Sequence, residues 1–218
     1  MNTLFNLDGP VMTFLSKFCD LLIVSILWII FSCPIITIGP ATSALYHTVH
    51  KVIFQNEGYL LTTFWNSFKS NAKQGIILTL LTTFLILFAF VCFNFSKSME
   101  FDSVLGLLYL VITAFVSFFT CILCTYGFPV LSRFYMKTID IIKTSIALAV
   151  TRFGFTLLLI IIFLLCIVAS HIAPVTMFLL PGCYAMAAER LIEPGFKKAL
   201  DSLEKAKSID EHKTDPNN

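Results

Sequence analysis

Four long runs of the chain contain no Asp, Glu, Lys or Arg: Leu21–His50, Gln74–Ser96, Ser103–Ser132 and Phe153–Ala188, of 30, 23, 30 and 36 residues. A helix needs about 20 apolar residues to cross a hydrocarbon core roughly 30 Å thick. Each of the first three runs supplies one span. The fourth would be about 54 Å long as a single helix at 1.5 Å per residue, too long for one crossing. It contains Ser170-His171-Ile172-Ala173-Pro174, a polar stretch closed by a proline, and the residue before a proline disfavours helix. The run therefore divides into two spans, Phe153–Ala169 and Val175–Leu191. The pattern predicts an all-α polytopic membrane protein. Its single domain, residues 1–195, has five transmembrane helices at about 11–32, 75–95, 104–129, 153–169 and 175–191.

Polar positions between the runs mark caps, breaks and elbows. Asp8-Gly9-Pro10 opens the first helix, with Asp8 as a cap and proline tolerated in the first turn. Cys33-Pro34 interrupts it, and Pro34, Gly39 and Pro40 within seven residues predict non-helical backbone over Cys33–Pro40. There the Ser32 and Thr37 hydroxyls are expected to serve carbonyls freed by the prolines, because unsatisfied backbone is costly in lipid. A second segment, Ala41–Phe54, ends at Gln55-Asn56-Glu57-Gly58. Beyond it Leu61, Phe64, Trp65, Phe68 and Ala72 recur at helical spacing, opposite Thr62, Asn66, Lys69, Ser70 and Lys73. Such a stretch predicts a cytoplasmic amphipathic elbow in the membrane interface, with Phe64, Trp65, Phe68, Lys69 and Lys73 as its lipid or partner contacts. In the tail, Pro194-Gly195 is expected to break the last span. Residues 196–218 then read as an amphipathic helix followed by a disordered end. Spans ending at Pro34, Pro129 and Pro181, each followed by a basic stretch, suggest a parallel internal repeat.

Composition secures the class. The 218 residues are 57% hydrophobic and 13% charged, against about 25% charged in a soluble domain. That excludes a disordered chain, a coiled coil, a disulfide scaffold and an ordinary cytosolic enzyme. With five spans and the N-terminus outside, thirteen of the fifteen Lys and Arg fall inside, leaving Lys17 and Lys97 outside. Positive residues accumulate on the cytoplasmic side, so the C-terminus is placed in the cytoplasm. Residues 1–20 lack the basic n-region and cleavage site of a signal peptide, and the first span is expected to act as its own insertion signal. Seven cysteines, mostly within apolar runs, read as small hydrophobes. Cys121-x-x-Cys124 lies mid-span with no second pair.

Candidate chemistry is sparse. The spans carry no ionisable side chain at depth of the kind that marks proton relays. His47 and His50 are three apart, but a metal usually needs a third ligand, and Glu57 lies beyond a break. No phosphate loop, nucleophile elbow or zinc-protease motif occurs. No catalytic residue, cofactor, metal or nucleic-acid partner is expected. Thr79, Thr82 and Thr83, with Thr113, Ser117 and Thr120, are candidates to line a path for a neutral solute.

Leu7-Asp8-Gly9-Pro10, Cys33-Pro34-Ile35-Ile36-Thr37-Ile38-Gly39, Ala44-Leu45-Tyr46, Glu57-Gly58 and Phe64-Trp65-Asn66-Ser67-Phe68-Lys69-Ser70-Asn71-Ala72-Lys73-Gln74 together resemble the opening of the YesL family of bacterial integral membrane proteins. The resemblance covers about residues 4–75. It implies a bacterial cell-membrane protein of a domain family of unknown function, accessory to carbohydrate uptake, with ABC sugar transporter subunits or a second copy as partners. It carries no catalytic residues. Two readings follow: a non-enzymatic accessory protein that works through its cytoplasmic elbows, and a small oligomeric transporter or channel. The latter would use the break at Cys33, Pro34, Thr37, Gly39 and Pro40 as its site, as broken helices do in many transporters.

Overall fold

A computed structural model describes residues 10–98, 104–134, 136–172, 176 and 178–196. The residues it describes are overwhelmingly helical, and none lies in a strand. The cap at Asp8 and the amphipathic tail lie outside them.

Helix α1, Pro10–Ser32, stops where the sequence places a proline. Pro34 is extended (φ −77°, ψ 122°), and a single 3-10 turn, Ile35–Thr37, reverses the chain. Thr37 Oγ1 donates to the Phe31 and Pro34 carbonyls, 2.7 Å each, while the Ser32 hydroxyl finds no partner. Gly39 and Pro40 are not part of the break. They open α2, Ile38–Thr48, where a proline costs nothing because the leading amides lack helical acceptors anyway. The helix continues through a π-helical stretch, Val49–Phe54. It ends with Asn56 and Gly58 at φ 56° and 80°, the left-handed region that glycine enters without penalty.

Eight of the eleven α2 residues are buried, so α2 is the central helix of the bundle. It runs antiparallel to α1. The Trp28 indole donates to Thr42 Oγ1 at 3.0 Å near the turn, and Lys17 and Asp20 share a cleft with Asn56 at the other end. Helix α3, Leu60–Ser98, follows as 39 unbroken residues, about 58 Å at 1.5 Å per residue. The amphipathic stretch is thus the first third of α3 rather than a separate elbow. Its polar turns lie along α2, and Gly75 meets Pro40 so closely that a Cβ there would be 2.7 Å from the proline nitrogen.

Helix α4, Val104–Ile122, returns beside α3. A π-helical stretch at Leu123–Gly127 and the short α5, Phe128–Arg133, continue it. Pro129 therefore lies inside a continuous helical segment, in the first turn of α5, and does not end a span. Helix α6, Thr138–Thr151, and α7, Phe153–Ile172, follow. The last described helix, α8, covers residues 180–196. It starts five residues later than the hydropathy pattern predicts and runs through Pro194-Gly195 instead of breaking there. Pro181 sits in its first turn, so the repeat built on prolines as span ends is not reproduced. The leading Gly182 amide is capped by Ser25 Oγ of α1 at 3.0 Å.

Among the described residues, four helices are long and apolar enough to cross a membrane: Val11–Ser32, Leu60–Ser98, Val104–Arg133 and Phe153–Ile172. The outer surfaces of α3, α4 and α7 expose large apolar side chains such as Phe84, Phe90, Phe115 and Leu165, more than half accessible each. Only a lipid environment makes so much exposed hydrocarbon favourable, so the chain is a multi-pass membrane protein.

Candidate functional site

The wall formed by α2 and α5 has a polar place on each side. His47, with Ser132 of α5, borders one cleft, and His50, three residues on, borders another with Glu189 and Glu193 and meets Arg133 of α5. His47 Nδ1 donates to the Ser132 carbonyl at 3.1 Å. Burial holds this imidazole below its ordinary value, with the Ser132 carbonyl offsetting part of the effect. The neutral ring thus carries its proton on Nδ1 and presents Nε2 as an acceptor.

That side opens on a cleft of about 430 Å³ between the His47–Lys51 turn of α2 and the first three turns of α3. Thr62, Thr63, Ser67 and Ser70 bring hydroxyls, and Asn66 and Asn71 bring amides. Ser67 and Asn71 are 5% and 7% exposed, and the Asn71 amide donates to Ser67 Oγ at 3.3 Å. Lys51 is the one charged residue in the lining.

On the other side lies a buried charge network. Arg133 Nη2 donates to Glu189 Oε1 and, at 2.6 Å, to Glu193 Oε2, so one guanidinium nitrogen spends both its hydrogens on two carboxylates. His50 Nδ1 lies 2.7 Å from Glu189 Oε1. Gln55 Nε2, which can only donate, approaches His50 Nε2 at 2.9 Å. Nε2 is therefore the acceptor, and Nδ1–H donates to Glu189. On that assignment Arg133 has no hydrogen left for His50, although Nη2 is only 2.5 Å from Nδ1. The Glu189 side chain is 4% exposed and that of Arg133 18%. An unpaired charge at such depth would be prohibitive, so the pairing is what permits the burial. His50, Glu189 and Glu193 also have the donor set of a metal site, with ligand atoms within 4.8 Å of one another. The guanidinium bonded to both carboxylates already supplies the cation this set would hold.

The predicted site residues are distributed differently from expectation. Cys33, Pro34 and Thr37 form the turn, whereas Gly39 and Pro40 belong to the α2–α3 contact. Phe64 is 1% exposed and packs on Phe31, as do Trp65 and Phe68, at centroid distances of 5.6, 5.5 and 5.1 Å. Phe64 is therefore a core residue, not a surface contact. Trp65 keeps 42% exposure, with Lys69 Nζ 4.9 Å above its ring. The hydroxyls of Thr79, Thr82, Thr113 and Thr120 donate to carbonyls of their own helices. The residues missed altogether are Arg133, Glu189 and Glu193. One signal was there: Lys51, Arg133 and Glu189 each directly follow a charge-free run, and the ends of these three runs converge in the fold.

Residues 21–95 match the family described as Protein of unknown function, DUF624. The sequence resemblance to YesL, which is a DUF624 family, thus holds over this stretch. No curated protein and no solved structure matches the chain. The DUF624 match takes in most of the α1–α2 hairpin and nearly all of α3. It includes His50, while Arg133, Glu189 and Glu193 lie beyond it. The charge network is one of the places where the DUF624 segment is tied to the rest of the chain, beside the α3–α4 packing and the Ser25–Gly182 and Gln74–Met136 hydrogen bonds.

Proposed function

We propose that the protein is a non-enzymatic membrane accessory protein that contacts a partner complex through the cytoplasmic end of α3. The observation that carries this reading is a ridge at every fourth residue of α3: Leu61, Trp65, Lys69 and Lys73, all exposed. It stands on a rigid base, because Phe64 and Phe68 on the adjoining face are fixed against Phe31. A preorganised aromatic and cationic ridge is the composition of a binding hot spot. The charge network supports the non-enzymatic part, since its ionised groups are spent on one another. The family resemblance alone supports carbohydrate uptake as the context and ABC sugar transporter subunits as the partner. A cytoplasmic C-terminus belongs to the same reading and is supported by the Lys and Arg tally. The transporter alternative draws less support, because the Phe31 and Pro34 carbonyls at the break already have donors in the Thr37 hydroxyl and amide.

Copurification from native membranes tests the proposal. Leu61→Ala with Trp65→Ala should leave insertion intact and remove the transporter subunits from the purified complex. If they remain, and only Lys69→Glu with Lys73→Glu disturbs the protein, the ridge is a lipid anchor and the accessory reading fails.

A further inference from the structure

We infer that the cleft between α2 and α3 is a binding site for the headgroup of an anionic glycerophospholipid, a phosphodiester carrying free hydroxyls such as phosphatidylglycerol. The lining decides the class of ligand. Apart from Tyr59, its side chains are polar or charged, which suits a headgroup better than an acyl chain. Its one charge is the Lys51 ammonium, and no carboxylate faces it, so it selects for a single negative charge and against a cation. The positive end of α3 adds to the same sign. Around Lys51, Thr62, Thr63 and Asn66 present hydroxyl and amide groups, and neutral His47 supplies an acceptor. Donors and acceptors mixed in this way match a ligand that both donates and accepts, as a diol does and a bare phosphate does not. A volume of about 430 Å³ falls within the roughly 300–1,000 Å³ of small-molecule sites.

The position decides the source. The cleft lies along the polar turns of α3 that precede the charge-free run beginning at Gln74. A helix passing from polar to apolar turns does so at headgroup depth. Trp65 and Leu61 are exposed on the same turns but on another face of the helix, giving these turns apolar surface as well as polar. The same chemistry in soluble form would be a glycerol phosphate, and the test separates the two.

The full-length protein is placed in nanodiscs of equal phosphatidylglycerol and phosphatidylcholine, then released into the gas phase for native mass spectrometry. One phosphatidylglycerol should be retained per protein, in preference to phosphatidylcholine. Phosphatidic acid, which has the phosphate but no diol, should compete poorly. Lys51→Gln should lower the retention about tenfold, since a charge-assisted hydrogen bond contributes roughly that much. Thr62→Val, at an exposed position with little bearing on folding, should weaken the preference over phosphatidic acid. Lys69→Gln with Lys73→Gln, outside the cleft, should leave retention unchanged. Equal retention of phosphatidylglycerol and phosphatidylcholine would overturn the proposal. So would a loss in the Lys69 and Lys73 variant as large as that in Lys51→Gln, which would mean diffuse attraction to basic surface. Stabilisation by millimolar glycerol 1-phosphate in lipid-free detergent, with no lipid retained, would overturn the lipid source and assign the cleft to a soluble ligand.

Discussion

Arg133 is bonded to two carboxylates from the same helix, and the worth of that arrangement depends on what is removed. Truncating one partner of a buried pair leaves the other uncompensated and costs about 3–5 kcal/mol, whereas replacing both with apolar groups of similar size is close to neutral. Arg133→Ala strands Glu189 and Glu193 together, and we expect a large fall in melting temperature with loss of the monodisperse peak in size exclusion. Arg133→Met combined with Glu189→Leu should recover most of that loss, because Glu193 is a third exposed and can turn to water. A double variant as unstable as the single one would mean that the network does more than neutralise charge. Glu189 also marks where sequence reading stopped at this scale. Its carboxylate directly follows the fourth charge-free run, within the last turn of the predicted fifth span, and nothing nearby in sequence marks it as paired. Only the return of α5 and α2 to the same place reveals it as a buried partner. Pairing across 56 and 139 residues leaves no local trace.

At the scale of elements, hydropathy located α1, α4 and α7 because lipid imposes a length on them, but it was blind to the roles of Pro and Gly. Pro34 and Pro40 look alike in sequence, yet one stops a helix and the other opens one. The difference lies in whether the missing amide would have had an acceptor. Pro194 is tolerated inside α8, and Gly195 next to it lets Arg152 and Leu148 come close. The small residues of α2 and α3 have a packing reason of the same kind. A Cβ on Gly39 would collide with Thr79 Oγ1 and the Gly75 carbonyl, and one on Gly75 would press on the Pro40 ring at 2.8–2.9 Å. Gly75→Ala should therefore destabilise the protein, by about 1–3 kcal/mol for overpacking. Gly154→Ala on α7, where nothing lies within 4 Å, should stabilise it by about 0.5–1 kcal/mol through helix propensity. Thermal unfolding of the two variants in the same detergent reads the opposite signs. Equal and small effects would show that α2 and α3 are not held at that distance.

For the whole molecule, the α1–α2 hairpin bears on orientation. The Lys and Arg tally alone puts the N-terminus outside, because it treats α1 as a crossing and the chain from Pro34 to the second span as cytoplasmic. In the fold, α2 returns along α1 and brings Lys17 and Asp20 to the same cleft as Asn56, only five residues beyond Lys51. Both ends of the hairpin therefore lie at the same end of the helix bundle. The turn between them, with Ile35 and Ile36 68% and 53% exposed and no charged residue from Leu21 to His50, has the composition of a tip within hydrocarbon. We propose that the hairpin is re-entrant, its irregular turn made tolerable by the Thr37 hydroxyl and amide, which serve the carbonyls of Phe31 and Pro34. This arrangement improves the charge asymmetry that fixed the C-terminus, since with the N-terminus also inside every Lys and Arg except Lys97 is cytoplasmic. We predict that in a cysteine-free background Lys97→Cys reacts with an impermeant maleimide added to intact cells, and that Lys17→Cys reacts only after the membrane is opened. Labelling of both from outside would place α1 as the tally has it. The antiparallel hairpin, and with it the shared side of Lys17 and Lys51, would then be wrong.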